Sequence, residues 1–242
     1  LYYSQGADEL IYQDTVASLY QRNNLTEIVS RTSKNIFIPL TVGGGIRSLK
    51  DINKVLRVGA DKVAINTAAL NNPNLINKSS KTFGSSTIVI AIEAIRMENG
   101  SYFAFTDNGR EETGREVLSW AREAEDRGAG EILLTSINNE GTGNGYDLDL
   151  IKMISSSLSI PVIAHGGAGN ISDIVDSIKI AGADAVSMAS MLHYTSLKKS
   201  TNFLDQFRTE GNIDFLSKEH TFKMFGKENL SEIKRALLAN DI

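Results

Sequence analysis

Cysteine is absent from all 242 residues, so neither a disulfide framework nor a thiolate metal site is available, and a reducing compartment is compatible with the chain. The three histidines, His165, His193 and His220, show no metal-ligand spacing, and neither a metal nor another cofactor is expected. No apolar run approaches the ~20 residues that a membrane-spanning helix requires. A charged start leading into a short apolar core is also missing, so the expectation is a cytoplasmic protein that keeps clear of membranes. Nor is there an excess of positive charge. The formal net charge of −4 argues against a dedicated nucleic-acid binder, whose footprint is a basic stripe, and leaves small neutral or anionic solutes open. Nothing resembles a linker, and 41% hydrophobic composition supplies one large core, so residues 1–242 read as a single domain.

What is present is a repeat. Gly6-Ala7-Asp8-Glu9-Leu10 answers to Gly128-Ala129-Gly130-Glu131-Ile132, an offset of 122 residues. Ile38-Pro39-Leu40-Thr41-Val42-Gly43-Gly44-Gly45 answers to Ile160-Pro161-Val162-Ile163-Ala164-His165-Gly166-Gly167, and Asp51 answers to Asp173. One residue further out of step, Gly59-Ala60-Asp61-Lys62-Val63 answers to Gly182-Ala183-Asp184-Ala185-Val186. Each copy reads as a strand, a glycine turn, a helix and a second strand, the unit of a parallel α/β barrel.

Seven β-rich runs alternate with amphipathic stretches: Asp8–Asp14, Ile38–Val42, Lys62–Asn66, Thr87–Ile95, Glu131–Ile137, Pro161–Ala164 and Ala185–Ala189. Ser48 reads as the N-cap of a helix carrying Leu49, Ile52, Val55 and Leu56, with Gly59 as its stop. The alternation predicts an α/β fold, a (β/α)8 TIM barrel with half-barrel duplication. Eight strands close such a barrel. The repeat puts the counterpart of Thr87–Ile95 before residue 1, and Leu1–Gly6 reads as a helix's end, so the first βα unit is expected to be missing. A seven-stranded variant is the lesser reading, because an open parallel edge exposes unpaired backbone groups. After the last strand, residues from Tyr194 to about Lys227 read as an expanded loop with Phe203, Phe207, Phe215, Phe222 and Phe225. A lid on the C-terminal face and a helical decoration both fit it. Leu230, Ile233 and Leu237 then mark a helix at about 228–240.

Two glycine turns, Gly43-Gly44-Gly45 and Gly166-Gly167-Ala168-Gly169, let the backbone approach an anion, and the helix starts behind them add favourable dipoles. The next strand in each copy ends in Asn66-Thr67 or Ala189-Ser190. Two phosphate cups facing across the mouth follow from this pairing; tight βα turns are the plainer alternative. Asp14, Glu93 and Glu140 stand at strand ends, where barrels place general acids and bases. Glu93, flanked by Ile92 and Ala94, should point into the mouth, and burial there would raise its pKa. Asp14 and Glu140 fit turn or cap roles equally well. Glu9, Lys62 and Glu131 open three strands and would ring the barrel floor, although spacing alone favours ordinary solvated charge. His165 either touches a substrate or packs, and the runs Asn144–Asp147 and Asp107–Gly109 read as turns.

At Asp8-Glu9-Leu10-Ile11-Tyr12-Gln13-Asp14, Thr41-Val42-Gly43-Gly44-Gly45-Ile46, Gly59–Ala69 and Gly128–Ile137 the chain resembles the HisF family, the cyclase subunits of imidazole glycerol phosphate synthase. The likeness runs from residue 1 to about 193. It implies a lyase of histidine biosynthesis whose substrate, a formimino-ribonucleotide, carries a phosphate at each end. It also implies a glutaminase (HisH-like) partner in a heterodimer, sending ammonia up the barrel to close an imidazole ring and release aminoimidazole carboxamide ribotide. Carried over, the cups are Gly45, Asn66 and Thr67 on one side and Gly167, Ala189 and Ser190 on the other. The gate is Glu9, Lys62 and Glu131, and Asp61 lies at the partner interface. Asp14, Glu140, Gly141 and His165 complete the substrate-binding set.

The chemical centre departs from the family. Of its two catalytic aspartates, one would precede residue 1 and the other is replaced by Glu93; Glu140 also replaces an aspartate, and His165 a serine or threonine. Such changes keep open a HisF-like paralogue that delivers ammonia to a glutamine-dependent amidotransferase system for surface-polysaccharide sugars. A partnerless barrel isomerase is more remote, because the gate residues argue against it.

Overall fold

The computed structural model describes residues 1–14, 25–193 and 228–242. The expected loop at about 194–227 lies outside them. Seven parallel strands follow one another around a curled sheet: β1 (Leu10–Gln13), β2 (Leu40–Gly43), β3 (Lys62–Ile65), β4 (Ile88–Arg96), β7 (Glu131–Ser136), β8 (Val162–His165) and β9 (Ala185–Ser187). Each of the seven runs expected from the sequence is a strand, offset at the ends by a few residues at most. The path does not close among the described residues. Helices α1 (Leu25–Ser33), α2 (Leu49–Arg57), α3 (Thr67–Asn71), α4 (Asn74–Phe83), α5 (Val117–Asp126), α6 (Leu148–Ser155) and α7 (Ile171–Lys179) intervene, so the architecture is that of a TIM barrel.

One element was not legible in the sequence. Between β4 and α5 the chain makes an antiparallel hairpin, β5 (Tyr102–Thr106) and β6 (Glu111–Glu116), added to the end of β4. The opening helical turn, Tyr3–Gln5, ends at Gly6 in the left-handed region, as its sequence suggested. The C-terminal helix α8 (Leu230–Leu238) is capped by Asn229 and tied to that opening segment: Lys234 Nζ reaches Asp8 at 2.6 Å, and Ser231 Oγ donates to the Gln5 carbonyl at 2.9 Å. Among the described residues no helix is long and apolar enough to cross a membrane.

Side chains two apart on a strand share a face, and this alternation sorts the sheet into two cores. Outward residues such as Val42, Val63, Ile65, Ile90, Ile132 and Leu134 join the helices in one large cluster. Inward residues form a small second cluster of Ala64, Val89, Ala91 and Leu133, with Ile11 and Ile163 packed against it. The inner positions therefore fall into three storeys. Glu9, Lys62 and Glu131 lie at the floor, the small apolar cluster in the middle, and Gln13, Asn66, Glu93, Thr135 and His165 at the mouth.

The repeat is structural as well as textual. Asp61 Oδ2 accepts from the Leu40 N–H at 2.8 Å, and its counterpart Asp184 accepts from Val162 at 2.8 Å. Ser33 Oγ donates to the Val58 carbonyl, and Ser155, 122 residues on, donates to Ala181. Ser48 caps α2, its hydroxyl accepting from the Asp51 N–H and donating to the Asp51 carboxylate, and Asn170 caps α7 with Asp173 in a full reciprocal box.

Candidate active site

Strands β1 to β4 end around a cavity of about 310 Å³ lined by Gln13, Asp14, Gly44, Gly45, Arg47, Asn66, Thr67, Glu93, Asp107 and Asn108, among others. Five of the residues singled out from the sequence, Asp14, Gly45, Asn66, Thr67 and Glu93, meet here. Glu93 enters it from β4 with its backbone paired to Phe105 on one side and Thr135 on the other. Its Oε2 accepts a hydrogen bond from the Gly109 N–H at 2.9 Å. Burial pushes its carboxyl above the usual range. The Gly109 amide and the Asn66 side chain pull the other way, and the charge of Glu140 adds to the rise.

Asn66 presents an unexpected polarity. Its Nδ2 donates to the Phe105 carbonyl at 3.3 Å, and its Oδ1 is buried without a partner among the described residues. The cation that a phosphate would want is Arg47, four residues after Gly43 and missed in the sequence reading although it adjoins the glycine turn.

The glycines earn their places through packing. Gly44 (φ +98°) lies so close to the Asp14 carbonyl that a Cβ could not be accommodated. In the second half, Gly166 (φ +91°) abuts the Ser136 carbonyl, and Gly167 and Gly169 abut the carbonyls of Gly145 and Gly143. The second turn is thus covered by the 137–147 loop, with the Gly145 N–H donating to the Gly167 carbonyl at 2.8 Å. Amides just ahead of both helices are also engaged. Asp51 accepts from the Arg47 N–H, and Asp173 from Gly169 and Asn170.

Glu140 and His165 meet on the other side of the mouth. His165 Nε2 lies 3.8 Å from Glu140 Oε1, and its Nδ1 lies 3.2 Å from the Ser187 carbonyl, so that both ring nitrogens face oxygens when the imidazole is protonated. A hydrogen bond from the imidazolium holds the Glu140 carboxyl below the usual range, against the partial desolvation of the carboxyl. Gly141 follows Glu140 with φ +73° and open space around it. Ala189 and Ser190 stand where a helix begins after β9, the Ala189 carbonyl accepting from His193. None of Glu140, Gly141, His165, Gly167, Ala189 and Ser190 lines the Glu93 cavity.

At the floor, Lys62 Nζ bridges Glu131 Oε1 at 2.6 Å and Glu9 Oε2 at 3.0 Å. Burial lowers the lysine pKa, but the two carboxylates outweigh it and the net shift is upward. The three charges are a bonded cluster rather than separately solvated groups. Asp61 sits beside them in the strand-entry turn, engaged with Leu40.

A family model described as histidine biosynthesis protein matches residues 1–198. The chain is 62% identical over 172 residues to the imidazole glycerol phosphate synthase subunit HisF of Legionella pneumophila, covering 71% of this chain and 81% of that protein. It is 51% identical over 207 residues to the subunit of the same name from Prochlorococcus marinus (strain AS9601), covering 84% and 81%. The corresponding protein of Alkaliphilus metalliredigens (strain QYMF) is 46% identical over 209 residues, covering 84% and 83%.

Proposed function

The chain belongs to the histidine biosynthesis protein family, and on that premise we propose how its barrel carries out the chemistry. Its role is that of the cyclase subunit of imidazole glycerol phosphate synthase, a lyase activity. The ammonia-delivering role in polysaccharide synthesis is not favoured, because relatives matched across about four-fifths of their length carry the synthase name. A subunit has a partner, and in this reading the partner is a glutaminase that docks beneath the floor, near Asp61, in a cytoplasmic heterodimer. All of residues 1–242 act as one domain.

Ammonia enters past Glu9, Lys62 and Glu131 and rises between Ala64, Val89, Ala91 and Leu133. The small apolar side chains of this storey support passage of a neutral molecule and disfavour ammonium, whose charge would be stranded there. At the mouth the formimino-ribonucleotide spans two phosphate sites. One is made by Gly45, Thr67 and Asn66, with Arg47 supplying charge, and the other by Gly167, Ala189 and Ser190. Asp14, Glu140, Gly141 and His165 border the substrate between them. Glu93 transfers the proton during ring closure, its elevated pKa letting it hold and release one nearer neutrality than a solvated glutamate.

The observation that carries this reading is the meeting of a half-buried Glu93 with Asn66, Gly45 and Thr67 in one cavity directly above the apolar storey. The test is ammonia-dependent turnover of the bisphosphorylated formimino-ribonucleotide, followed as loss of substrate absorbance. Turnover is expected, and adding a glutaminase subunit should make glutamine an alternative nitrogen source. Tight binding without turnover, while a glutaminase is still activated, would return the protein to the ammonia-delivering role.

A further inference from the structure

Glu93 is one methylene longer than the aspartate that the family resemblance puts at its position. The extra reach carries Oε2 to the Gly109 N–H, 2.9 Å away at the tip of the β5–β6 hairpin. That tip has an unusual backbone: Asp107 (φ +52°), Asn108 (φ +60°) and Gly109 (φ +75°) are three consecutive residues in the left-handed region. Asp and Asn tolerate this region better than other side chains, and glycine adopts it freely. Successive amides in turn conformations of this kind can converge into a concave nest for an anion. The Asn108 N–H is a second donor that favours the charged form of Glu93. The hairpin is aimed at its target by register, since Glu93 pairs with Phe105 and the tip begins just beyond Thr106. It is also wedged in place, because Gly109 sits against Ile137, just past the end of β7.

We propose that the hairpin tip 107–109 is a positioning device for the cyclase reaction, its Asn108 and Gly109 amides seating the Glu93 carboxylate over the cavity where a shorter aspartate would fall short. Asn108 and Gly109 act through Glu93 and are positioning residues. The proposal rests on the reading of Glu93 as the proton-transfer group. The other charged groups around Glu93 are Asp14 from β1, Arg47 from the first glycine turn, Asp107 from the hairpin itself, and the Glu140–His165 pair across the mouth. Burial and Glu140 disfavour the carboxylate, whereas the nest and Asn66 favour it, and Gly109 is the one residue of the tip that does not itself line the cavity.

The experiment compares the protein with Gly109→Ala, Glu93→Asp and the double variant. A Cβ at Gly109 would lie 2.8 Å from Ile137 Cγ2 at a strained φ, so Gly109→Ala displaces the tip. Two quantities are read: the Glu93 carboxyl titration by carbon-13 NMR, and the pH profile of ammonia-dependent kcat/KM. Gly109→Ala should move both upward together by about one pH unit, a tenfold change in proton affinity, with kcat falling more than KM changes. Glu93→Asp, which leaves the hairpin sequence intact, should lose about tenfold or more in kcat, and adding Gly109→Ala to it should not move the profile further. An unmoved Glu93 titration in Gly109→Ala, an equal shift in both backgrounds, or undiminished turnover in Glu93→Asp would each overturn the proposal. Absence of turnover in the unaltered protein would instead count against the cyclase reading, and the NMR titration would still judge the nest.

Discussion

The first half of the barrel and the second share their scaffolding and differ at both ends. Asp61 and Asp184 hold equivalent amides at 2.8 Å, and Ser48–Asp51 and Asn170–Asp173 cap equivalent helices. At the floor the equivalents Glu9 and Glu131 share a single lysine, because the counterpart of Lys62 is Ala185. At the mouth the first glycine turn opens on a cavity, whereas the second is covered by its neighbouring loop and bordered by the His165–Glu140 pair. Duplication has preserved what the backbone needs in order to fold. The differences at the floor and the mouth fall on side chains that face the barrel interior and its openings.

Four sets of substitutions test how far the two halves differ. The largest effect is expected at the mouth. Glu93→Gln should lower ammonia-dependent kcat by about 10²–10⁴-fold with the melting temperature little changed, whereas His165→Thr should cost far less. Comparable losses from both would mean that the two sides of the mouth share the proton chemistry. At the floor, Glu131→Gln should destabilise by about 2 kcal/mol and Glu9→Gln by less than about 1 kcal/mol in urea unfolding. The carboxylate of Glu131 is closer to Lys62 and only 16% exposed, against 42% for Glu9. Equal costs would show that the shared lysine does not favour the second half.

The third change probes what the halves have in common. Asp61→Asn and Asp184→Asn should each cost about 1 kcal/mol, and the two values should agree, since each removes one charged acceptor from one strand-entry amide. A markedly larger loss at Asp61 only when a glutaminase is bound would locate the partner interface there. The smallest effect is a titration. His165 depresses the Glu140 carboxyl, so the pair contributes stability above the usual carboxylate range, and that contribution is lost as pH falls through the folded value. His165→Thr should raise the Glu140 titration in NMR and flatten the acid limb of the stability curve.

The strands were readable from the sequence because Pro39, Pro161 and the paired glycines punctuate short apolar runs, leaving little freedom in where each begins. The hairpin was not readable, since β6 is Glu-Glu-Thr-Gly-Arg-Glu, with neither the alternation nor the apolar face that marks a half-buried strand. Glu93 stood out as a carboxylate isolated in an apolar run. Its bond to Gly109 could not stand out, because the contact depends on a turn sixteen residues away whose partner strand was itself invisible. The glycine turns show a different limit. Sequence cannot separate a glycine that receives an anion from one pressed against a carbonyl, and Gly166 and Gly167 are pressed against carbonyls.

β4 pairs with β3 through Ile88–Ile90, with β7 through Val89–Ala94 and with β5 through Glu93–Arg96. Nearly every amide along its nine residues is therefore engaged from one side or the other, while the three-residue β9 pairs on the described path only with β8. Native-state opening would accordingly begin around β9 and reach β4 last, which makes β4 the segment of slowest amide exchange. The carboxylate assigned to proton transfer thus rides on the backbone that local unfolding disturbs least, and a mouth whose loops fluctuate would still find its acid at a fixed height in the barrel.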